Sequence, residues 1–275
     1  MKRITSADNP RFKTLRGLVM SSRERRKSGM TVLDGAHLVS AYRNNVGMPE
    51  QLFVSDIVFK NNEINQLVND ISCPGALLLS DALFRQISQV VMPTGIMAVV
   101  RTPRPGPVPA DMDACVMLED LQDPGNLGSI LRSAAAAGIQ HVLLSRNAVH
   151  AWSPRVLRAG MGAHFLLQIH EQADLAAVAR VFNGTVIATA GNAPRSLYDM
   201  DLRGKVALLL GNEGGGLSPA IKALAHAEIS IPMPGKTESL NVAAAAAVCL
   251  FERVRQLSAI SGQRSAVSPN GFADS

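Results

Sequence analysis

Short apolar runs separated by polar, helix-length stretches set the pattern of this chain. Before residue 101 the runs fall at Met30 to Leu33, Gln51 to Val54, Ala76 to Leu79 and Ile96 to Val100, which predicts a small α/β layer. Beyond residue 112 they recur at Cys115 to Leu118, His141 to Leu144, Phe165 to Ile169, Val186 to Thr189, Val206 to Leu210 and Ile229 to Ile231. Most are parted by helix-length segments, so a parallel sheet covered by helices is expected there. Between the two sets, Arg101 to Pro109 carries prolines at 103, 105, 107 and 109. These remove backbone donors and favour extended geometry, as in a stiff linker. From Ser261 the polar, breaker-rich SGQRSAVSPNGFADS has no apolar periodicity to offset the entropy of ordering. The expected organisation is a first domain over 1–100, a Pro-rich linker over 101–112, a second α/β domain over 113–260 and a disordered tail over 261–275.

Composition agrees with two cores: 275 residues, 47% of them hydrophobic, give enough apolar surface to bury. The net charge of +5 is modest, but from Met1 to Gly29 basic residues outnumber acidic ones by nine to two. Arg16, Arg23, Arg25, Arg26 and Lys27 are therefore candidates to contact a polyanion such as RNA, against the alternative of a solvated helical face. Cys73, Cys115 and Cys249 are too widely spaced for a metal cluster and odd in number, which predicts reduced thiols and no metal. MKRITSADNPRF lacks the apolar core of a signal peptide, and no uncharged run is long enough to cross a bilayer. A cytoplasmic protein with no membrane partner is expected.

Three segments carry candidate chemistry. In Leu118-Glu119-Asp120-Leu121-Gln122-Asp123-Pro124-Gly125-Asn126-Leu127-Gly128-Ser129-Ile130-Leu131-Arg132 a strand runs into a helix, which places the turn at a carboxyl sheet edge, where open α/β sheets bind ligands. Asn126 either caps that helix or serves a ligand. Arg132 lies among small apolar residues and calls for an anionic partner. In Leu210-Gly211-Asn212-Glu213-Gly214-Gly215-Gly216-Leu217-Ser218-Pro219 the glycines let a ligand lie on the backbone, while Ser218 and Pro219 open a helix. The third segment, Ile231-Pro232-Met233-Pro234-Gly235-Lys236-Thr237-Glu238-Ser239-Leu240-Asn241, precedes an Ala-rich helix. Its Gly-Lys-Thr is no phosphate loop, because position 230 holds Ser where that loop needs Gly.

Taken together, PGNLGSILRSAAAAGI, LLLGNEGGGLSP and ISIPMPGKTESLNVAAAAAVCLFE resemble, in order and spacing, the three signature motifs of the SpoU/TrmH family of RNA 2′-O-methyltransferases. The resemblance runs from about Cys115 to Leu257. It implies an α/β domain with a deep trefoil knot, S-adenosylmethionine held at Gly211, Ile231 and Leu240, and catalytic positions at Asn126, Arg132, Glu213, Ser239 and Asn241. It also implies a homodimer acting on rRNA or tRNA, and an N-terminal domain similar to the family's RNA-binding module, carried by Asn9-Pro10 and Leu33-Asp34-Gly35.

A guanidinium is protonated at ordinary pH. Arg132 is therefore expected to grip a phosphate rather than take a proton, with Glu213 as its natural counter-ion. The apolar last helix, Ala243 to Phe251, either serves the dimer or fills its own core. Two rivals remain. A dinucleotide-binding protein would need Gly-x-Gly-x-x-Gly after the first strand of the domain, which Pro124 to Gly128 does not supply. A non-catalytic RNA-binding relative would have no chemical reason to keep all five polar positions.

Overall fold

The computed structural model of the chain describes residues 1–57, 62–71, 75–89, 93–109 and 111–266. Cys73 and residues 267–275 lie outside that set. By contacts the chain forms two compact units, one of residues 1–106 with 123–132 and 149–171, the other of 107–122, 133–148 and 172–275. The Pro-rich stretch carries neither helix nor strand over 102–109. The first unit nonetheless takes in two segments from beyond it, which the expected boundary did not anticipate.

In the first unit β1 (Lys2–Ile4), β2 (Met30–Asp34), β3 (Gln51–Ser55), β4 (Leu77–Leu79) and β5 (Ile96–Arg101) form a sheet in the order β1-β4-β3-β5-β2. The pairs β1–β4 and β4–β3 are parallel, and β5 is antiparallel to both neighbours. The four apolar runs read from the sequence became β2 to β5. β1 escaped notice because only Ile4 of its three residues is buried, so an edge strand left no apolar run.

Helix α1 (Pro10–Met20) starts where Asn9 accepts a hydrogen bond from Arg11 N, with proline at the first position, where no donor is needed. It buries Phe12, Leu15, Leu18 and Val19 against a core with Phe53, Leu79, Phe84 and Met97. Helix α2 (Ser22–Ser28) is capped by Ser21 and stops at Gly29, whose φ of +66° a side chain would strain. Helices α3 (Ala36–Asn45), α4 (Asn62–Ile71) and α5 (Asp81–Ile87) complete the layer.

The segment 149–171 packs within this unit. The Thr31 hydroxyl donates to Trp152 O at 2.6 Å, Asp34 pairs with Arg158 at 3.3 Å, and the Tyr42 and Phe165 rings meet edge to face at 5.4 Å. Phe165, expected in a strand, sits in a 3₁₀ turn (Ala163–Leu166), and the strand β8 begins later, at Gln168–His170.

Arg25 also needs correction as an RNA contact. It is 5% exposed, and its guanidinium donates to Leu18 O (2.6 Å), Val19 O (3.1 Å) and His150 Nδ1 (3.4 Å). It satisfies two carbonyls of α1's last turn that the helix cannot. Burial together with Arg25 and Arg26 pushes His150 down to about 3, so the imidazole stays neutral, and Glu171 lies 3.5 Å from its Nε2. Arg16, Arg23, Arg26 and Lys27 are exposed.

In the second unit β6 (Ala114–Leu118), β7 (His141–Leu144), β9 (Thr185–Thr189), β10 (Arg195–Ser196), β11 (Val206–Leu210) and β12 (Ala227–Ser230) run in the order β10-β12-β9-β11-β6-β7, and every adjacent pair is parallel. β11 is buried at all five residues, as its unbroken apolar run requires of a strand covered on both faces. Cys115, Met117, Leu143, Val186, Ala188, Ala207 and Leu209 share one core cluster. β12 starts and ends earlier than expected, with Ile231 outside it because Pro232 cannot donate to a ladder.

Helices α6 (Pro124–Ala136), α7 (Pro154–Gly160), α8 (Leu175–Val181), α9 (Pro219–Lys222) and α10 (Val242–Ala266) follow in the chain. α10 continues to Ala266, into the stretch expected to be disordered from Ser261. Among the described residues no helix is long and apolar enough to cross a membrane.

Removing the Arg25 side chain strands two buried carbonyls. Arg25→Ala is expected to lower stability by roughly 3 kcal/mol, whereas Arg26→Ala at an exposed site should change it by less than about 0.5 kcal/mol. Urea midpoints of the two variants check this.

Candidate active site

Parallel pairing puts the exits of β6 and β11 side by side. Leu118 lies opposite Leu210, and Glu119 N donates to Leu210 O at 2.9 Å. The Glu119 carboxylate then receives Ser218 N at 2.7 Å and the Ser218 hydroxyl at 2.6 Å. Ser218 Oγ also accepts from Ile221 N, so one side chain caps α9 and ties the end of the Gly-rich loop to β6.

Inside that loop Asn212 and Gly216 bridge each other, N to O at 3.1 Å and back at 2.9 Å. Gly211 makes the closure possible, because a Cβ there would overlap the Gly216 carbonyl and Leu217 N. Asn212 Oδ1 accepts from Gly214 N (2.9 Å) and Gly215 N (3.2 Å). Glu213 is left exposed near the tip, where its Oε2 accepts from Gln122 N at 3.3 Å.

The turn into α6 is capped by Asp123 rather than Asn126. Its Oδ1 accepts from Asn126 N at 2.7 Å, and its carbonyl accepts from Leu127 N at 3.1 Å. Asn126 thus lies in the first turn of the helix, relieved of the cap, with a half-buried side chain. A Cβ on Gly128 would lie 2.7 Å from Val156 O and 2.8 Å from Gly160 N, so α6 and α7 touch backbone to backbone. Arg132 is exposed on α6.

The third segment leaves β12 and follows an irregular path over 231–240. Ile231 is half-buried, Ser239 is exposed and Leu240 is 41% exposed. A Cβ on Gly191, just past β9, would come within 3.9 Å of Glu238 O, so the segment folds back over a neighbouring strand exit. Asn241 caps α10 by accepting from Ala243 N (2.9 Å) and Ala244 N (3.3 Å).

Along α10, Ala246, Cys249, Leu250 and Glu252 are buried while Phe251 is 48% exposed. The helix fills its own core and still presents an apolar face. Burial pushes the Cys115 and Cys249 thiols up to about 12, and they remain protonated. Glu119, Gln122 and Asp123 did not stand out in the sequence. Their signal was positional: polar residues clustered at strand exits.

A doubly covered parallel sheet, with glycine-rich and irregular loops gathered at its carboxyl edge, defines an α/β protein of the class whose members bind ligands at that edge. The SpoU rRNA Methylase family matches residues 113–251. The chain is 34% identical to an uncharacterized tRNA/rRNA methyltransferase of Synechocystis over 92% of its length and 93% of the relative. It is 28% identical to the 23S rRNA (guanosine(2553)-2′-O)-methyltransferase of Bacillus subtilis over 91% of its length and 98% of the relative. Among solved structures, the SpoU methyltransferase AviRb from Streptomyces viridochromogenes in complex with AdoMet superposes with a TM-score of 0.81 at 26% identity. That match covers 90% of this chain and 98% of that one. The chain belongs to the SpoU rRNA methylase family.

Gly211→Ala is expected to open the Asn212–Gly216 closure. The measurement is amide exchange across residues 211–217, which should accelerate at least about tenfold relative to wild type for the loss of one or two hydrogen bonds.

Proposed function

We propose that the protein transfers the methyl group of S-adenosylmethionine to a ribose 2′-hydroxyl of rRNA or tRNA, acting in the cytoplasm as a homodimer with the knotted fold of its family. The observation that carries this reading is the closed Gly-rich loop, fixed at Glu119 and Gln122 beside the strand exit that leads into Arg132's helix. A relative named for guanosine 2′-O-methylation and a structural neighbour bound to AdoMet support it.

The residues present suit that cofactor. The turn at Gly211 has no room for a side chain, and the irregular 231–240 segment exposes backbone groups beside the apolar Ile231 and Leu240. Gly211, Ile231 and Leu240 would hold it. When bound, it supplies a methyl already activated on a sulfonium, so no metal is required. The chain's task is to align the ribose oxygen, exclude water and help the hydroxyl proton leave.

Arg132, exposed on α6, grips the phosphate beside the target ribose and is too basic to accept its proton. Asn126, Glu213, Ser239 and Asn241 fix the ribose. The exposed Arg16, Arg23, Arg26 and Lys27 add phosphate contacts. The open face of α10 around Phe251 serves the second protomer.

Calorimetry with S-adenosylmethionine and a methyl-transfer assay test the reading together. Arg132→Ala should abolish transfer while cofactor affinity stays within about threefold, because the lost contact is to phosphate. A folded Arg132→Ala protein that no longer binds cofactor would contradict the assignment. Binding of RNA by a wild-type chain that takes no cofactor would instead favour a non-catalytic relative.

A second expectation concerns salt. Replacing Arg26 and Lys27 by Ala should lower the magnitude of the log K versus log salt slope for RNA by up to about 1.4, at roughly 0.7 per phosphate contact on single strands. An unchanged slope would leave these two side chains as a solvated face.

A further inference from the structure

The chain leaves β6 through Asp120, a non-glycine residue at φ +51°, in the left-handed region that side chains avoid. Such a conformation persists only where surrounding contacts fix it, and here they converge. Ser145 Oγ accepts from Asp120 N at 2.8 Å and donates to Asp120 Oδ1 at 2.6 Å, while Asn147 Nδ2 donates to Oδ2 at 3.2 Å. The loop after β7 therefore holds the carboxylate from two sides. Aspartate tolerates this backbone better than most residues because its short polar side chain bonds locally.

The turn aims the Asp120 carbonyl at two amide donors. Asn212 Nδ2 reaches it from the Gly-rich loop at 2.8 Å, and Gln122 Nε2 reaches it from two residues further along at 3.0 Å. Each donor group does a second task. Asn212 holds Gly214 N and Gly215 N through its Oδ1, and Gln122 binds Asn147 O at 2.8 Å while its backbone N–H meets Glu213. One carbonyl, whose direction Ser145 and Asn147 set, thus anchors the Asn212 side chain that shapes the Gly-rich loop and the Gln122 side chain, whose backbone N–H meets Glu213.

We propose that Asp120 is the positioning residue of the active site, a hub that locks the Gly-rich loop and Glu213 to the exit of β6 without touching cofactor or RNA. This rests on the methyltransferase reading for its consequences in catalysis, but the hub itself has a readout independent of activity.

The test compares full-length wild type with Asp120→Asn, Asp120→Gly and Gln122→Glu. It measures amide exchange of residues 211–217, S-adenosylmethionine affinity by calorimetry, and kcat and KM for RNA. Asn keeps an acceptor for the Ser145 hydroxyl and tolerates the turn, so Asp120→Asn should stay within about threefold of wild type throughout. Gly keeps the turn without strain but frees it, so Asp120→Gly should fold. Its Gly214 and Gly215 amides should exchange about tenfold faster, cofactor Kd should rise about fivefold and kcat should fall at least about tenfold, with the KM for RNA within twofold.

Gln122 is exposed, so its replacement is expected to leave the fold intact. Glutamate turns a donor facing two carbonyls into an acceptor, and kcat should drop with an unchanged melting temperature. A folded Asp120→Gly protein with wild-type exchange and kcat overturns the proposal. So does an Asp120→Asn protein as damaged as Asp120→Gly, or a Gln122→Glu protein with wild-type kcat. If wild type neither binds cofactor nor transfers methyl, the functional reading fails, and the exchange data still decide the hub.

Discussion

The parallel pairing of β6 with β11 is the constraint from which the rest of the site follows. With Leu118 opposite Leu210, both strands end on one level, and the loops that leave them must share a small space at the sheet edge. Every close contact described there is a response to that crowding. Gly211 gives up its side chain so that Gly216 can come back over it, and Glu119 takes both polar atoms of Ser218. The stretch around Asn212 and Glu213 is thus held by side chains and backbone groups of the β6 exit. Shifting the register by one residue would move Glu119 away from Leu210 and Ser218 and separate these partners.

A second constraint acts in the first unit, where backbone meets backbone and charge is buried. Gly128 lets α6 approach α7 at a distance no side chain permits. Arg25 enters the interior only because two helix-end carbonyls and His150 receive its donors. Buried guanidinium and nearby Glu171 keep the local charge balanced while His150 stays neutral. A buried network of this kind fixes one arrangement of α2 against the 149–171 segment, since any other would leave charges without partners.

Much of this was legible in the sequence. The interior strands announced themselves as apolar runs, and β7 and β11 matched their expected bounds because a buried parallel strand reads as unbroken hydrophobicity. The three polar segments were found because glycines, prolines and lone polar residues are costly unless they serve a turn or a ligand. What could not be read was anything set by partners distant in the chain. Arg25 looked like its exposed neighbours Arg26 and Lys27, and only the fold places it against His150. Asp123, not Asn126, proved to be the cap, a distinction of three residues that spacing alone leaves open. Asp120 carried no signal, because its left-handed turn depends on Ser145 and Asn147. Short edge strands such as β1 and β10 bury too little to leave a pattern.

The central claim, ribose methylation of RNA, is tested most directly by the chemical position of the transferred methyl group. Purified protein, S-adenosylmethionine carrying a labelled methyl, and deproteinised rRNA or tRNA would be incubated, and the RNA digested to nucleosides for mass spectrometry. The account predicts label in a single 2′-O-methylated nucleoside, with the mass increment on the sugar fragment. Label on a base, or none in either RNA under conditions where the cofactor is bound, would contradict it.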